Sequence, residues 1–300
     1  MALFSGSIVA LITPFDSKGR IDARAFRNLV RWHLEEGTDG VVCSGSTGEG
    51  NALNRKERLK LLQICLEEAK GKMQILAGTG AGNTRETVQF TEDALKAGAD
   101  GALVVTPFYC RPTQEGCLAH FAEVGKVGLP VIVYHNPTRA CFRFLLESLP
   151  KLAKIPLIVG IKDSNHDIEY VRSMKKICSL PLYSGDDDIT LEMLEEGGVG
   201  SISVIGNFIP KGWKKMIQHA LRGEWEIAKK IMHRFLPLIR ANFLETNPQG
   251  IKYLVSQLGR CKPIWRLPLV PPKRETVVRI QEELFKLAVP YARSSSQSEK

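Results

Sequence analysis

The run Leu157-Ile158-Val159-Gly160-Ile161-Lys162 is apolar at every position but the last. A strand with no polar alternation is buried on both faces, as in a parallel sheet covered by helices. The final residue breaks the pattern with a charged amine. An amine held at the mouth of an apolar core loses hydration, which favours its neutral form and readies its lone pair to attack a carbonyl. A lysine just past a strand also commonly lays its stem over the core and its head in water. Lys162 taken alone fits either reading.

Seven further apolar runs resemble this one, at 7–12, 40–43, 73–77, 101–105, 130–134, 181–183 and 201–204. The first seven of the eight are each followed by a helix-compatible segment, for example 22–36, 55–69, 84–97 and 114–127. Strands alternating with helices at this interval predict a parallel α/β sheet, and eight units favour a closed (β/α)8 TIM barrel. An open doubly wound sheet is the rival. No strand-GxGxxG-helix fingerprint supports it, because Gly78-Thr79-Gly80-Ala81-Gly82 has a different spacing that a tight βα turn explains. The reading places the barrel at 1–204, a C-terminal helical region at 205–293 with helices near 211–222, 224–240, 248–258 and 274–288, and a polar, disordered tail at 294–300.

The chain has 300 residues, 44% hydrophobic and 24% charged, with no apolar stretch long enough to span a membrane. Its opening residues show no secretory pattern, so a cytoplasmic protein is expected. Seven scattered cysteines without a Cys-x-x-Cys pair predict reduced thiols. No His or Cys spacing matches a zinc site, and no metal is expected. The formal charge of +9 is concentrated at one end: residues 211–300 carry a surplus of 11 positive charges, leaving −2 for the first 210. There Lys214, Lys215, Arg222, Lys229 and Lys230 interleave with Trp213, Ile217, Ala220 and Ile227. This pattern reads as amphipathic helices with solvated basic faces rather than a nucleic-acid groove.

In a barrel, chemistry gathers where strands end at their carboxyl side. The residues just past the runs are Gly45-Ser46-Thr47-Gly48-Glu49, Thr106-Pro107-Phe108-Tyr109, Tyr134-His135-Asn136-Pro137-Thr138-Arg139, Lys162-Asp163 and Ser184-Gly185-Asp186-Asp187. Hydroxyls, phenols, an amine and a guanidinium therefore converge on one mouth.

In order and spacing, Gly45-Ser46-Thr47-Gly48-Glu49, Tyr134 followed by Pro137, and Gly160-Ile161-Lys162 resemble the pyruvate-dependent class I aldolase and lyase family typified by dihydrodipicolinate synthase and N-acetylneuraminate lyase. Arg139, Thr106-Pro107-Phe108-Tyr109, Arg111-Pro112 and Glu245-Thr246-Asn247-Pro248 are most similar to the dihydrodipicolinate synthase branch. The resemblance covers nearly the whole chain. It implies that Lys162 forms a Schiff base with pyruvate, whose enamine adds to L-aspartate-4-semialdehyde to give 4-hydroxy-tetrahydrodipicolinate for diaminopimelate and lysine biosynthesis. Tyr134 would carry protons, with Ser46 and Tyr109 completing a hydroxyl relay and Tyr109 reaching in from a neighbouring subunit of a homotetramer, a dimer of dimers. Thr47, Ile202 and Gly185 would lie against substrate, and Arg139 would clamp the second carboxylate. No metal or organic cofactor and no nucleic acid is implied. The alternatives are a pyruvate-forming aldolase of sugar acids such as 2-keto-3-deoxygluconate or N-acetylneuraminate, and a noncatalytic barrel binding a small acid or RNA.

The chain departs from the family pattern at several points. Ser46 stands where the synthases usually carry Thr, His135 follows Tyr134 where Asn is usual, and Asp163 follows Lys162 where Glu is usual. By the same resemblance, the positions that bind feedback lysine match Arg55, Arg58, Gly82, Glu86 and Phe108. Arginines facing a cationic ligand repel it, and Gly82 offers no side-chain amide. Lysine inhibition is therefore expected to be weak or absent; an initial rate halved by lysine in the millimolar range would overturn this.

Overall fold

The computed structural model describes residues 2–287. Eight strands form a closed barrel in sequence order, every neighbouring pair parallel. They are β1 (Gly6–Ala10), β2 (Gly40–Cys43), β3 (Gln74–Gly78), β4 (Gly101–Val105), β5 (Val131–His135), β6 (Ile158–Asp163), β7 (Leu182–Ser184) and β8 (Gly200–Ser203). Between them run α1 (Ala23–Glu35), α2 (Arg55–Ala69), α3 (Thr84–Ala97) and α4 (Gln114–Gly125). Two short turns of helix, α5 (Pro137–Ala140) and α6 (Leu149–Leu152), follow β5; α7 (Ile168–Ile177) follows β6 and α8 (Thr190–Glu195) follows β7. After β8 come α9 (Pro210–Leu221), α10 (Trp225–Asn242), α11 (Gln249–Gln257) and α12 (Arg274–Leu287).

The eight apolar runs all form strands, with ends shifted by a residue or two. The informative shift is in β6, which continues past Ile161 through Lys162 and Asp163. Lys162 is thus inside the strand rather than beyond it, because it still has register partners on both sides, Tyr134 and Tyr183. Alternation along the strands sorts side chains into two layers. Ile8, Val42, Leu76, Leu103, Ile132, Tyr134, Tyr183 and Ile202 fill the barrel, with Phe4 among them. Val9, Val41, Ile75, Val104, Val133 and Ile161 face the helices. Helix starts are set locally: Asn54 and Glu57 form a capping box on α2, and Asn83, Thr113 and Asp167 cap α3, α4 and α7.

The chain crosses position 204 without a break in packing. Helix α9 packs on β1 and β8, where the buried Trp213 donates from Nε1 to Ser201 Oγ at 3.0 Å. Its apolar face joins α10, α11 and α12 in one cluster with Ile12 and Leu29 of the barrel. The basic side chains at this end have acidic neighbours: Lys214 pairs with Asp39 at 2.9 Å and Lys229 with Glu195 at 3.4 Å. The expected tail at 294–300 lies outside the described residues. All seven cysteines are free, and no described helix is long and apolar enough to cross a membrane.

One buried ion pair joins the C-terminal helices to the loop after β2. Lys252 of α11 and Glu49 are both fully buried and in direct contact. The second carboxylate oxygen of Glu49 accepts the Arg266 amide at 2.9 Å, and Lys252 donates to the Ile264 carbonyl at 3.0 Å while its ammonium lies 4.3 Å from the Phe15 ring centroid. Burial lowers the lysine pKa against the opposing pull of Glu49. Removing one partner strands the other charge in the core, so Lys252→Met is expected to cost about 3–5 kcal/mol in urea unfolding. Glu49→Gln/Lys252→Met, which leaves no charge behind, is expected to recover part of that loss.

Candidate active site

The carboxyl ends of the strands open onto two adjoining cavities of about 440 and about 590 Å³, both bordered by Gly45, Ser46, Leu103, Tyr134, Arg139 and Asn247. Lys162 lies in the larger, with Thr47, Asn136, Ser164, Gly185 and Asp186. It is only 4% exposed, and its Nζ sits 4.0 Å from the centroid of the Tyr134 ring. The contact follows from topology: Tyr134 and Lys162 are register partners on adjacent strands and point the same way. Asn136 Nδ2 donates to the Tyr134 hydroxyl at 2.7 Å, so this oxygen keeps its own proton free to give away.

Gly185 is required by close approach. A β-carbon there would lie 2.1 Å from Ser164 Oγ and 2.8 Å from Lys162 Cε, so any larger residue would push the lysine aside. Thr47 is buried, and its hydroxyl accepts from Asn247 Nδ2 at 2.9 Å. The Asn247 carbonyl in turn accepts from the Arg139 guanidinium at 3.0 Å, which leaves the rest of the guanidinium fork facing the cavity. Asn136 also caps the short helix that carries Arg139, through the Arg139 amide at 2.9 Å. Ser46 is exposed at the junction of the two cavities.

Two of the expected residues stand apart. Ile202 is fully buried in the apolar cluster that includes Tyr134, inside the barrel rather than among the cavity-lining residues. Tyr109 is 97% exposed with φ of 71° and lines neither cavity within its own chain. A bulky residue in the left-handed region is strained, so the loop holds this ring outward against its backbone preference.

Asp186 and Asp187 are adjacent in sequence and diverge in space. Asp187 is buried and accepts the amides of Ile205 (2.6 Å) and Val204 (3.1 Å). Asp186 borders the cavity beside Lys162, and its Oδ2 is buried without a hydrogen-bond donor, His166 Nε2 lying 3.5 Å away. Burial raises the Asp186 pKa to about 6, opposed by His166 and Lys162. Asp186 and Asn247 lie in the segments Ser184-Gly185-Asp186-Asp187 and Glu245-Thr246-Asn247-Pro248 with no role assigned from sequence, and both border the larger cavity. Their place within those segments is the available signal.

The two arginines at the expected lysine-binding positions are both engaged. Arg55 forms a bidentate pair with Asp93 at 2.5 and 2.7 Å. Arg58 is turned inward, donating to the carbonyls of Gly50 (2.6 Å), Gly78 (2.9 Å) and Ser44 (3.4 Å). Burial lowers its pKa. Arg58 therefore brings to the smaller cavity a positive charge met by backbone carbonyls rather than by a bonded carboxylate, whereas the charge of Arg55 is balanced by its partner.

The model of the dihydrodipicolinate synthetase family matches residues 3–286. The chain belongs to that family. It is 39% identical over 285 residues to the 4-hydroxy-tetrahydrodipicolinate synthase of Thermodesulfovibrio yellowstonii, covering 94% of this chain and 98% of the relative. The fold matches the crystal structure of dihydrodipicolinate synthase from Aquifex aeolicus with a TM-score of 0.94 at 37% identity, over 97% of this chain and all of that one. The chloride-inhibited dihydrodipicolinate synthase of Acinetobacter baumannii, solved with pyruvate, is similar at a TM-score of 0.93 and 33% identity, over 96% and 100% of the two chains. Membership in the family accounts for the barrel and for the order of the motifs around its mouth.

Proposed function

We propose that this chain condenses pyruvate with L-aspartate-4-semialdehyde to form 4-hydroxy-tetrahydrodipicolinate, as a Schiff-base lyase of lysine biosynthesis. The observation that carries the reading is the buried Lys162 amine, stacked on Tyr134 and opening onto a cavity that also holds Arg139 and Asp186. Lys162 Nζ attacks the ketone carbon of pyruvate, and loss of water leaves the Schiff base. Removal of a methyl proton gives the enamine, whose carbon adds to the aldehyde. The amino group of the second substrate then displaces Lys162 by transimination and closes the ring. The lysine amine supplies the electron sink, so the chemistry needs no metal or organic cofactor.

Tyr134 shuttles protons at Lys162, with the Ser46 hydroxyl as the next carrier, a reading supported by the Lys162 amine lying 4.0 Å from the Tyr134 ring centroid. Thr47 and the backbone around it, on the border of the larger cavity, receive the pyruvate carboxylate. A guanidinium and a carboxylate with one oxygen free of hydrogen-bond donors, both bordering one cavity, suit a zwitterionic amino-acid aldehyde: Arg139 takes its carboxylate and Asp186 its ammonium. A sugar acid carries no ammonium to meet Asp186. The exposed Tyr109 supports assembly as a homotetramer in which this ring enters a neighbour's site. The protein is assigned to the cytoplasm.

Borohydride reduction in the presence of pyruvate is expected to leave a pyruvate-derived mass on the Lys162 peptide of the native chain and none on Lys162→Arg. No adduct on a folded native sample would remove the proposed mechanism. Asp186 must be ionised to hold an ammonium, and its raised pKa means that the charge is present above about pH 6 and lost below it. The KM for the semialdehyde is accordingly expected to rise as pH falls through 6 in initial-rate assays, and Asp186→Asn to abolish that rise.

A further inference from the structure

The residues that follow Tyr134 and Lys162 are also paired. His135 and Asp163 are the last register partners of β5 and β6, each 1% exposed. Alternation sends them out of the barrel, toward the helix layer, while Tyr134 and Lys162 point in. His135 Nδ1 lies 2.6 Å from Asp163 Oδ1, and the Phe144 amide donates to His135 Nε2 at 3.3 Å. Because Nε2 accepts, Nδ1 carries the hydrogen and donates it to the carboxylate. The ring is held between Phe144 and Tyr170, at centroid distances of 5.7 and 5.6 Å, and Tyr170 donates to the Phe144 carbonyl at 2.7 Å. Asp163 Oδ2 accepts the Asn165 amide at 3.3 Å.

This pair closes a ladder that is irregular at its other end. Val131 pairs with Ile158 but Ile132 with Gly160, so β6 carries one extra residue there. A one-residue slip from such a bulge would exchange the two faces of β6, turning Lys162 out of the barrel and Asp163 into it. The His135–Asp163 contact forms only in the observed register, and it forms one residue beyond the Tyr134–Lys162 pair. The two family departures after Tyr134 and Lys162 are thus in contact with each other, one buried donor–acceptor pair standing where the family usually carries Asn and Glu.

We propose that His135 and Asp163 form a cross-strand clip that positions Lys162 against Tyr134, making both of them positioning residues for the condensation. The inference rests on Lys162 being the nucleophile. An asparagine amide nitrogen takes the place of Nδ1 and a glutamine amide oxygen reaches that of Nε2, so the two contacts of His135 separate by substitution. His135→Asn keeps the bond to Asp163 and loses Phe144; His135→Gln does the reverse.

The test measures kcat, the semialdehyde KM, the rate of borohydride-trapped adduct formation at Lys162 and the melting temperature. His135→Gln and Asp163→Ala are expected to lower kcat and the trapping rate at least tenfold with KM within twofold. His135→Asn and the combined His135→Asn/Asp163→Glu are expected to stay within threefold of the native rates. Asp163→Asn, which retains an acceptor for Nδ1, is expected to do the same and serves if the alanine variant does not fold. The clip is overturned if His135→Gln and a folded Asp163→Ala keep kcat within twofold, if His135→Asn or Asp163→Asn falls tenfold, or if rates across the set simply follow melting temperature. A native chain that forms no adduct overturns the proposed function and this inference together; a native adduct with unaffected variants overturns the clip alone.

Discussion

Closure of the parallel ladder between β8 and β1, with Ile8 opposite Ile202, is the constraint on which the rest of the molecule depends. An open parallel sheet leaves two edges with unpaired backbone groups, and closure removes both. It also forces the strands to share one set of inward positions, so every second residue of each strand meets the others on a common axis. The reactive mouth follows directly. Lys162 and Tyr134 are inward residues near the ends of neighbouring strands, and Gly185, one residue past β7, leaves the space through which the lysine stem passes.

The mouth is built on charges that are buried and balanced in different ways. Glu49 and Lys252 neutralise one another in the core and anchor the Gly45–Glu49 loop from the C-terminal side, with the Arg266 amide as a second donor. Arg58 is held instead by three carbonyls, two of them flanking that loop, at Ser44 and Gly50. The loop carrying Ser46 and Thr47 is therefore gripped from both sides by cations that it partly neutralises. Rigid support of this kind fixes where the Ser46 and Thr47 hydroxyls stand at the cavities. Against this background the buried oxygen of Asp186, without a donor, is the exception, and it faces the cavity.

The helices after the barrel are continuous with it in packing. Trp213 and Ser201 bond across the β8–α9 join, and Lys252 and Arg266 reach back to Glu49 in the loop after β2. A region that reads from sequence as amphipathic helices with solvated basic faces thus supplies Asn247, which holds both Thr47 and Arg139. Its positive charge is partly matched by barrel residues such as Asp39 and Glu195. The basic surplus is a property of sequence count, whereas its surroundings are a property of the fold.

The sequence by itself determined the strands, because residues such as 101–105 and 157–161 are short apolar runs that alternate with helix-length segments, the pattern of parallel strands covered on both faces. It also singled out Lys162, as a charge at the end of such a run, and the motif order that placed Tyr134, Thr47 and Arg139 at one mouth. It left undecided what depends on the direction of a side chain or on contacts far along the chain. Asp186 and Asp187 are the same residue type one step apart, and the backbone path after β7 sends one to the cavity and the other to the amides after β8. His135 and Asp163 looked like two separate departures until the β5–β6 register put them in contact. Glu49 and Lys252 are separated by 203 positions, and no local pattern announces such a partner. Local apolarity is written residue by residue and can be read that way; pairing across the barrel is set by closure and register, which exist only once the whole chain has folded.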